Sequence, residues 1–468
     1  MIGEASAAPV YATEGFYDEA LTADGRPRAA YEEVMAALAA SDLPAVAERT
    51  RDRVSADGVS FGSGQREVPF WVDPVPRIFE LAEWEQLERG ILQRTRALNA
   101  FIEDAYGERR IVAAGRIPAR AIDGADHFEP WMLGVEVRGS HAPTAGLDIV
   151  RGASGELAVL EDNLRTPSGL AYREAARRAV DDGLPLDPPA DRVGLEPDYE
   201  LLAEQLRAAA PDGGGDPSVA LLSDGAGNSA WYEHRVLASR LGIPIVGRSD
   251  LFMRRGGLHA QLPGGREREL QVVYRRTDED QLRDGLGRAT WLAGALLEPM
   301  RRGRVSVVNA FGTGVADDKL IHAYVEKMVH FYLGEEPLLR SVHTYDLGDP
   351  EARETALGQL GDLVVKPRSG HGGHGVVICR HATAEDTVLI ARRIREHPES
   401  FVAQETITLS RHPTVCGTGL EPRHVDLRAF AVGPAVVPGG LTRVALKRGA
   451  LVVNSSQDGG AKDTWVVR

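Results

Sequence analysis

Leu363-Val364-Val365-Lys366-Pro367-Arg368-Ser369-Gly370-His371-Gly372-Gly373-His374-Gly375-Val376-Val377-Ile378 is the stretch on which the reading of this chain turns. An apolar run ends in a lysine, a glycine-dense turn follows, and a second apolar run leaves it. The β-branched residues on both sides predict two strands joined by a flexible loop. Glycines let successive backbone N–H groups converge on an anion, and Lys366 adds a fixed positive charge. That chemistry suits a nucleotide triphosphate.

Gly370, Gly372 and Gly375 also satisfy the spacing G-x-G-x-x-G, so three readings compete. A dinucleotide site needs a helix directly after the loop, with the pyrophosphate at its N-terminus; here Val376-Val377-Ile378 continues as a strand. A protein kinase has its lysine on a strand after the glycine loop; here Lys366 precedes it, and no H-R-D-x-x-x-x-N or D-F-G run is present. The third reading is the strand–loop–strand lid of the ATP-grasp enzymes, with a lysine on the entering strand. Taken alone, the loop leaves a glycine-rich hairpin of no special use equally open.

The rest of the chain narrows the class. At 468 residues it can bury a large core in two or three domains. Its 54 basic and 68 acidic residues give a net charge of −14, which disfavours nucleic acid or an anionic membrane as the main partner. The first residues lack a basic stretch followed by an apolar one, so no signal peptide is expected. No run of about 18 apolar residues suggests a membrane span. Two cysteines, Cys379 and Cys416, exclude a disulfide framework and fit a reducing cytoplasm.

Upstream of the loop, residues 1 to about 60 read as mainly helical, and Trp84 to Tyr106 as a long amphipathic helix with Leu87, Ile91, Leu92, Leu98 and Phe101 inward. Phe61 to Phe70 reads as a loop, followed by Asp73-Pro74-Val75-Pro76. Gly146 to Val150 and Leu157 to Asn163 read as two short strands around a turn. Asp148 lies near the end of the first and Glu161 near the end of the second. Asn163 follows two residues on, hence on the same face as Glu161. Two carboxylates and an amide oxygen suit Mg²⁺, and an ordinary polar hairpin fits the same spacing. Pro185, Pro188, Pro189 and Pro197 mark a linker. From Ser218, a strand, a helix around Tyr232 to Leu241 and a strand at Ile243 to Val246 form a small α/β unit with parallel strands.

Val305 to Ala310 starts another strand, and a helix is expected from Lys319 to Tyr332. A lysine at a helix start is disfavoured by the dipole unless an anion or solvent is nearby. Beyond the glycine loop, Phe401-Val402-Ala403-Gln404-Glu405 reads as a strand ending in groups able to pair with an adenine edge. His424 to Phe430 and Gly440 to Leu446 are alternating strands carrying Arg428 and Arg443. The chain closes on Asn454 to Trp465, a second glycine-rich loop carrying Lys462. His371 and His374 sit among glycines too flexible for a rigid zinc site, and no Walker A pattern occurs.

Together these stretches resemble the circularly permuted branch of the ATP-grasp superfamily (type 2), related to glutathionylspermidine synthase. The resemblance runs from Phe61 to Trp465. Asp318-Lys319-Leu320 resembles the family's first lysine turn, Val365-Lys366-Pro367 its second lysine, Ala403-Gln404-Glu405 its adenine hinge, and Pro167-Ser168-Gly169 its trailing turn. The metal positions carry over to Asp148, Glu161 and Asn163. Many members place an arginine two residues before the first metal carboxylate, where this chain has Gly146. Arg138, Arg165, Arg428 and Arg443 are the candidates to replace it. Conventional ATP-grasp chains put the metal strands last; here they precede the first lysine, as circular permutation would require.

The resemblance implies an α+β fold with an α/β unit. Residues 1–180 would form the N-terminal helical region plus the metal strands. The pre-ATP-grasp domain would span 200–300, the lysine and lid subdomain 301–415, and the closing strands 416–468. Strands near 424–431 and 441–447 should share one antiparallel sheet with 146–150 and 157–163. It further implies an ATP- and Mg²⁺-dependent ligase that joins a small-molecule or peptide carboxylate to an amine, with a homo-oligomer left open. Lys319, Lys366, Ser369, Gly370, Gly372, Gly373, Gly375, Gln404 and Glu405 would hold the nucleotide. Arg428, Arg443 and Lys462 are the catalytic candidates. A nucleotide-binding regulatory or scaffold protein without turnover is the alternative.

Overall fold

A computed structural model of the chain describes residues 11–13, 15–62, 67–195, 198–211, 215–368, 370, 375–450 and 459–468. Its central sheet grows from the strand Thr144–Arg151, every residue of which is buried. Ala145, Leu147 and Ile149 alternate along it and join one apolar cluster with Leu87, Ile91, Leu98 and Phe101 of the helix Leu81–Tyr106. Period 2 on the strand and period 3.6 on the helix thus meet in one core.

Thr144–Arg151 pairs antiparallel with Leu157–Asn163 on one side and with Gly419–Val432 on the other. Leu441–Ala445, Gly459–Val467 and Val72–Glu80 follow in order beyond Gly419–Val432, and Arg340–Ser341 borders Leu157–Asn163. The strand pairing expected across about 260 residues of chain is therefore present. It joins the early strands that carry Asp148 and Glu161 to the late strands that carry Arg428 and Arg443.

Two smaller sheets flank this one. The parallel sheet runs Ser306–Val308, Val272–Arg275, Val219–Leu222, Ile245–Val246, with near-continuous apolar strands as burial on both faces demands. It extends past residue 300 to include Ser306–Val308. The next residue, Asn309, hooks the sheet to the central one: its amide donates to the carbonyls of Thr144 and Leu164 at 2.7 and 2.6 Å. The third sheet runs Thr344–Asp346, Phe401–Glu405, Leu363–Pro367, Val377–Ile378. Leu363, Val365, Phe401 and Ala403 point into a core with Ile390 and Ile394 of the helix Ala384–Glu396.

Two expectations are corrected, and Val72–Glu80, to which the sequence assigned no element, is a strand. Pro74 and Pro76 are tolerated because it lies at the sheet edge, and the register jumps between the pairs Lys462↔Asp73 and Thr464↔Arg77. Gly459–Val467 is likewise a strand rather than a glycine loop. A side chain at Gly460 would strike the Trp71 ring, so that glycine serves close packing. The helix expected from Lys319 to Tyr332 is broken into Lys319–His322, Val325–Met328 and a π turn at Val329–Leu333. The break carries Tyr324, whose hydroxyl donates to Asp346.

Candidate functional site

Strand register assembles one half of the site. Glu161 lies opposite Asp148, Asn163 opposite Gly146, and Arg428 opposite Asp148 on the other side. Three neighbouring strands thus present Glu161, Asp148 and Arg428 in a row on one face. Arg428 donates to both oxygens of Asp148 at 2.7 and 2.8 Å. Arg443 bridges Asp426 at 2.5 Å and Asp148 at 2.8 Å. Burial alone would push the Asp148 carboxyl up, but the two guanidinium groups hold it below the ordinary range. Of the four candidates for the missing arginine, these two reach Asp148. Arg428 packs its methylenes against Gly146, Arg138 is exposed, and Arg165 sits in the loop after Asn163.

The third sheet supplies the other half. Lys366 pairs with Val402, and Val364 with Gln404, so Lys366 and Gln404 share the face opposite the apolar one. The Lys366 ammonium donates to Gln404 Oε1 at 2.5 Å, and Gln404 Nε2 donates to Thr344 Oγ1 at 3.0 Å. Lys319 Nζ stands 3.3 Å from Glu161 Oε1 and donates to the Gly370 carbonyl at 2.8 Å, which supplies the counter-charge its helix-start position calls for. Glu161, Lys319, His322, Thr344, Lys366 and Gln404 line a single cleft. Desolvation, reinforced by Lys319, pushes the Lys366 ammonium down to about 8, against the pull of Glu161 and Asp148.

The donor set fits Mg²⁺. Glu161 keeps a partly exposed carboxylate, and Asn163 lies two residues on along the same strand. Asp148 stands directly opposite Glu161. Two carboxylates and an amide oxygen leave positions for nucleotide phosphates, as Mg²⁺ sites usually do. Among the described residues no three histidine, cysteine or acidic side chains are grouped so as to hold a metal ion by themselves; His371 and His374 lie outside the described residues.

Several expected site residues lie elsewhere. Lys462 pairs with Thr442, so it faces the opposite side of the sheet from its neighbour's partner Arg443. Its buried ammonium donates to Asp73 and, at 2.9 Å, to the Pro413 carbonyl. It is therefore withdrawn from the catalytic candidates. Glu405 is exposed. Gly370 and Gly375 have φ of +113° and +73°, and a Cβ on Gly375 would meet Pro367 Cγ at 2.8 Å. Ser369, Gly372 and Gly373 lie outside the described residues.

Sequence reasoning missed the groups that hold these elements in place. Asp318 caps Leu320 N at 2.9 Å and accepts from Arg368 Nε at 2.8 Å, which locks the Lys319 turn to the end of the Lys366 strand. Arg368 also donates to the Arg120 carbonyl at 3.0 Å. Asp162, on the face opposite Glu161, accepts two hydrogen bonds from Arg94 at 2.6 and 2.7 Å and stands 2.9 Å from His322 Nδ1. Glu233 accepts from Ser168 Oγ and Gly169 N at 2.7 and 2.8 Å, and Arg276 donates to the Pro167 carbonyl at 2.8 Å. The turn after the strand Leu157–Asn163 is thus gripped by the parallel-sheet unit. Acid–base complementarity was visible in the sequence for each partner, but not which residue would meet which.

The sequence model of the circularly permuted ATP-grasp type 2 family matches residues 76–445. A Frankia casuarinae protein with the provisional name glutamate--cysteine ligase 2-2 is 44% identical over 465 residues, covering 97% of this chain and 54% of its own length. The chain thus spans about half the length of the Frankia relatives it matches. An uncharacterized Synechocystis sp. protein is 40% identical over 476 residues, with 98% of each chain covered. Among solved structures, a glutathione synthetase-like effector from Globodera pallida in its apoform superposes with a TM-score of 0.55 at 12% identity, covering 91% of this chain and 98% of that one. At that identity the likeness concerns the fold alone. With the strand order above, it bears out the expected mixed α/β fold.

Proposed function

Because this chain belongs to the circularly permuted ATP-grasp type 2 family, we propose that it is an ATP-dependent ligase that joins a carboxylate to an amine. The observation that carries this reading is the meeting of Glu161, Lys319, Lys366 and Gln404 around one cleft. They come from strands and a turn scattered over more than 200 residues. Lys319 and Lys366 would bind phosphate oxygens, and Gln404 would meet the base. Mg²⁺ held by Glu161, Asn163 and Asp148 would neutralise the β- and γ-phosphates.

In this scheme the substrate carboxylate attacks the γ-phosphorus, ADP leaves, and an acyl phosphate forms. The amine then displaces phosphate, its proton passing to solvent or a nearby base, and an amide remains. Phosphoryl transfer needs alignment and charge compensation more than a protein nucleophile. Arg428, held by Asp148, would supply such charge, with Arg443 and Asp426 fixing Asp148 in turn.

The test is phosphate and ADP release over a panel of carboxylates and amines, with hydroxylamine present to trap acyl phosphate as hydroxamate. Hydroxamate dependent on ATP and on one carboxylate is the expected result. A second reading, a nucleotide-binding regulatory protein without turnover, draws on the occupation of both Asp148 oxygens by guanidinium groups. Tight Mg-ATP binding with no ADP formed on any substrate would favour it. No described helix is long and apolar enough to cross a membrane.

A further inference from the structure

The strand Leu157–Asn163 sends Glu161 to one face and Asp162 to the other, as alternation requires. Arg94 donates to both oxygens of Asp162, and His322 Nδ1 stands 2.9 Å from Asp162 Oδ2. Arg94 Nη2 also lies 3.2 Å from that Nδ1, so the ring proton has two places to choose between. A bare Nδ1 would set its lone pair against a carboxylate oxygen at 2.9 Å, whereas a protonated Nδ1 donates to it. The proton therefore sits on Nδ1. Burial pushes the imidazole down against the pull of Asp162, with Arg94 and Lys366 adding to the effect. The ring is thus neutral, and Nε2 is an acceptor only.

That acceptor is unmet. His322 is 5% exposed, and its Nε2 is buried with no hydrogen-bond partner among the described residues, a costly state for a polar atom out of water. The side chain lines the nucleotide cleft, at its buried end. Glu161 and Lys319 keep 34% and 15% of their side chains exposed, and their charges suit metal and phosphate. Ala316, Val402 and Gln404 are almost wholly buried, and Leu160 partly so. Leu160, Ala316 and Val402 give that end apolar walls suited to a flat ring.

The other polar groups at the buried end are already engaged. Gln404 Oε1 accepts from Lys366, Gln404 Nε2 donates to Thr344 Oγ1, and Thr344 Oγ1 donates to the Val342 carbonyl. A carboxamide also carries a donor beside an acceptor, so Gln404 alone suits either kind of purine edge. His322 does not. The exocyclic amino group of adenine is a donor and would satisfy Nε2; the exocyclic oxo group of hypoxanthine or guanine is an acceptor and would meet its lone pair.

We propose that His322, held as an acceptor by Asp162, selects the purine of the nucleotide, taking the exocyclic amino group of adenine and rejecting purines that carry an oxo group there. His322 has this role only if the cleft holds a nucleotide, as proposed above. The selecting residue then stands on the turn that follows Lys319, outside the strand that carries Gln404.

The experiment is isothermal titration of the full chain with Mg-ADP, with Mg-IDP, whose base carries the oxo group, and with Mg-pyrophosphate, which has no base. The unaltered protein should bind Mg-ADP about tenfold to a hundredfold more tightly than Mg-IDP, as one mispaired buried hydrogen bond would give. His322→Phe keeps a buried ring without an acceptor, and His322→Gln adds a donor to the acceptor. In both, the ratio should fall to within about threefold, with Mg-pyrophosphate affinity unchanged. Histidine nitrogen NMR of the unaltered protein needs no variant: the His322 Nε2 signal should be that of an unprotonated ring nitrogen, and should move more with Mg-ADP than with Mg-IDP. Equal binding of ADP and IDP, an unchanged ratio in the variants, or a protonated Nε2 overturns the role of His322 alone. Binding of neither Mg-ADP nor Mg-pyrophosphate overturns the nucleotide reading, and the role of His322 with it.

Discussion

Replacing Lys366 by methionine tests the nucleotide site where its electrostatics are sharpest. Its ammonium is held at about 8, against an ordinary lysine value of about 10.4. That depression corresponds to about 3 kcal/mol by which the desolvated cleft disfavours the charge. Phosphate oxygens at about 4 Å would recover a similar amount at an effective dielectric near 20. Lys366→Met should therefore weaken Mg-ADP binding by ~2–4 kcal/mol, roughly thirtyfold to a thousandfold.

The pH dependence follows with its sign. Below about 8 the free protein already carries the charge, so affinity is flat. Above that, the ammonium of the free protein is lost while the bound nucleotide keeps it protonated. Binding then takes up a proton, and Kd rises by up to about tenfold per pH unit. Calorimetry at pH 7 to 9.5, in buffers of different ionisation enthalpy, reads both the affinity and the proton count. Proton release above pH 8, or the same pH profile in Lys366→Met, would refute the reasoning.

Other outcomes bear on other parts of the site. Glu161→Gln should raise the Mg²⁺ needed for nucleotide binding at least about tenfold, because even outer partners of a metal ligand cost that much, while the melting temperature stays put; an unchanged Mg²⁺ titration would remove Glu161 from the metal set. Arg368→Ala strands the buried carboxylate of Asp318 and should cost ~3–5 kcal/mol in urea unfolding. A loss below about 1 kcal/mol would show that the pair behaves as a surface contact. Gly169→Ala forces a side chain into φ +136° and to 2.7 Å from Phe430 Cζ. It should cost ~1–3 kcal/mol, and a neutral result would mean that the turn after the metal strand has another conformation in solution.

What could be read from the sequence was local. Lys366 and its glycines carry anion chemistry in consecutive residues. The helix Leu81–Tyr106 announces itself by its period, and Glu161 and Asn163 share a face because strands alternate. What escaped was pairing at a distance. Nothing in the sequence says that Arg428 and Arg443, rather than Arg138 or Arg165, meet Asp148, because a register across 280 positions decides it. Pro74 and Pro76 masked an edge strand whose hydrogen bonds they need not complete. Lys462 looked free among glycines because the bulky neighbour of Gly460, Trp71, comes from residues far upstream. Asp318 and Arg368 are 50 residues apart, and nothing local in the sequence pairs them.

The position of Thr144–Arg151 between Leu157–Asn163 and Gly419–Val432 sets an order of events during synthesis. At about 5–20 residues per second, roughly 15–60 s separate the appearance of Asp148 from that of Arg428. Through that interval one edge of a fully buried strand has no neighbour to bond, and Asp148 has neither of its guanidinium partners. The central sheet cannot close until the last tenth of the chain has emerged, so a nascent or truncated product that stops short of Val432 presents an open, apolar edge. Such an edge is a template for pairing with another strand, including one from a second copy of the chain.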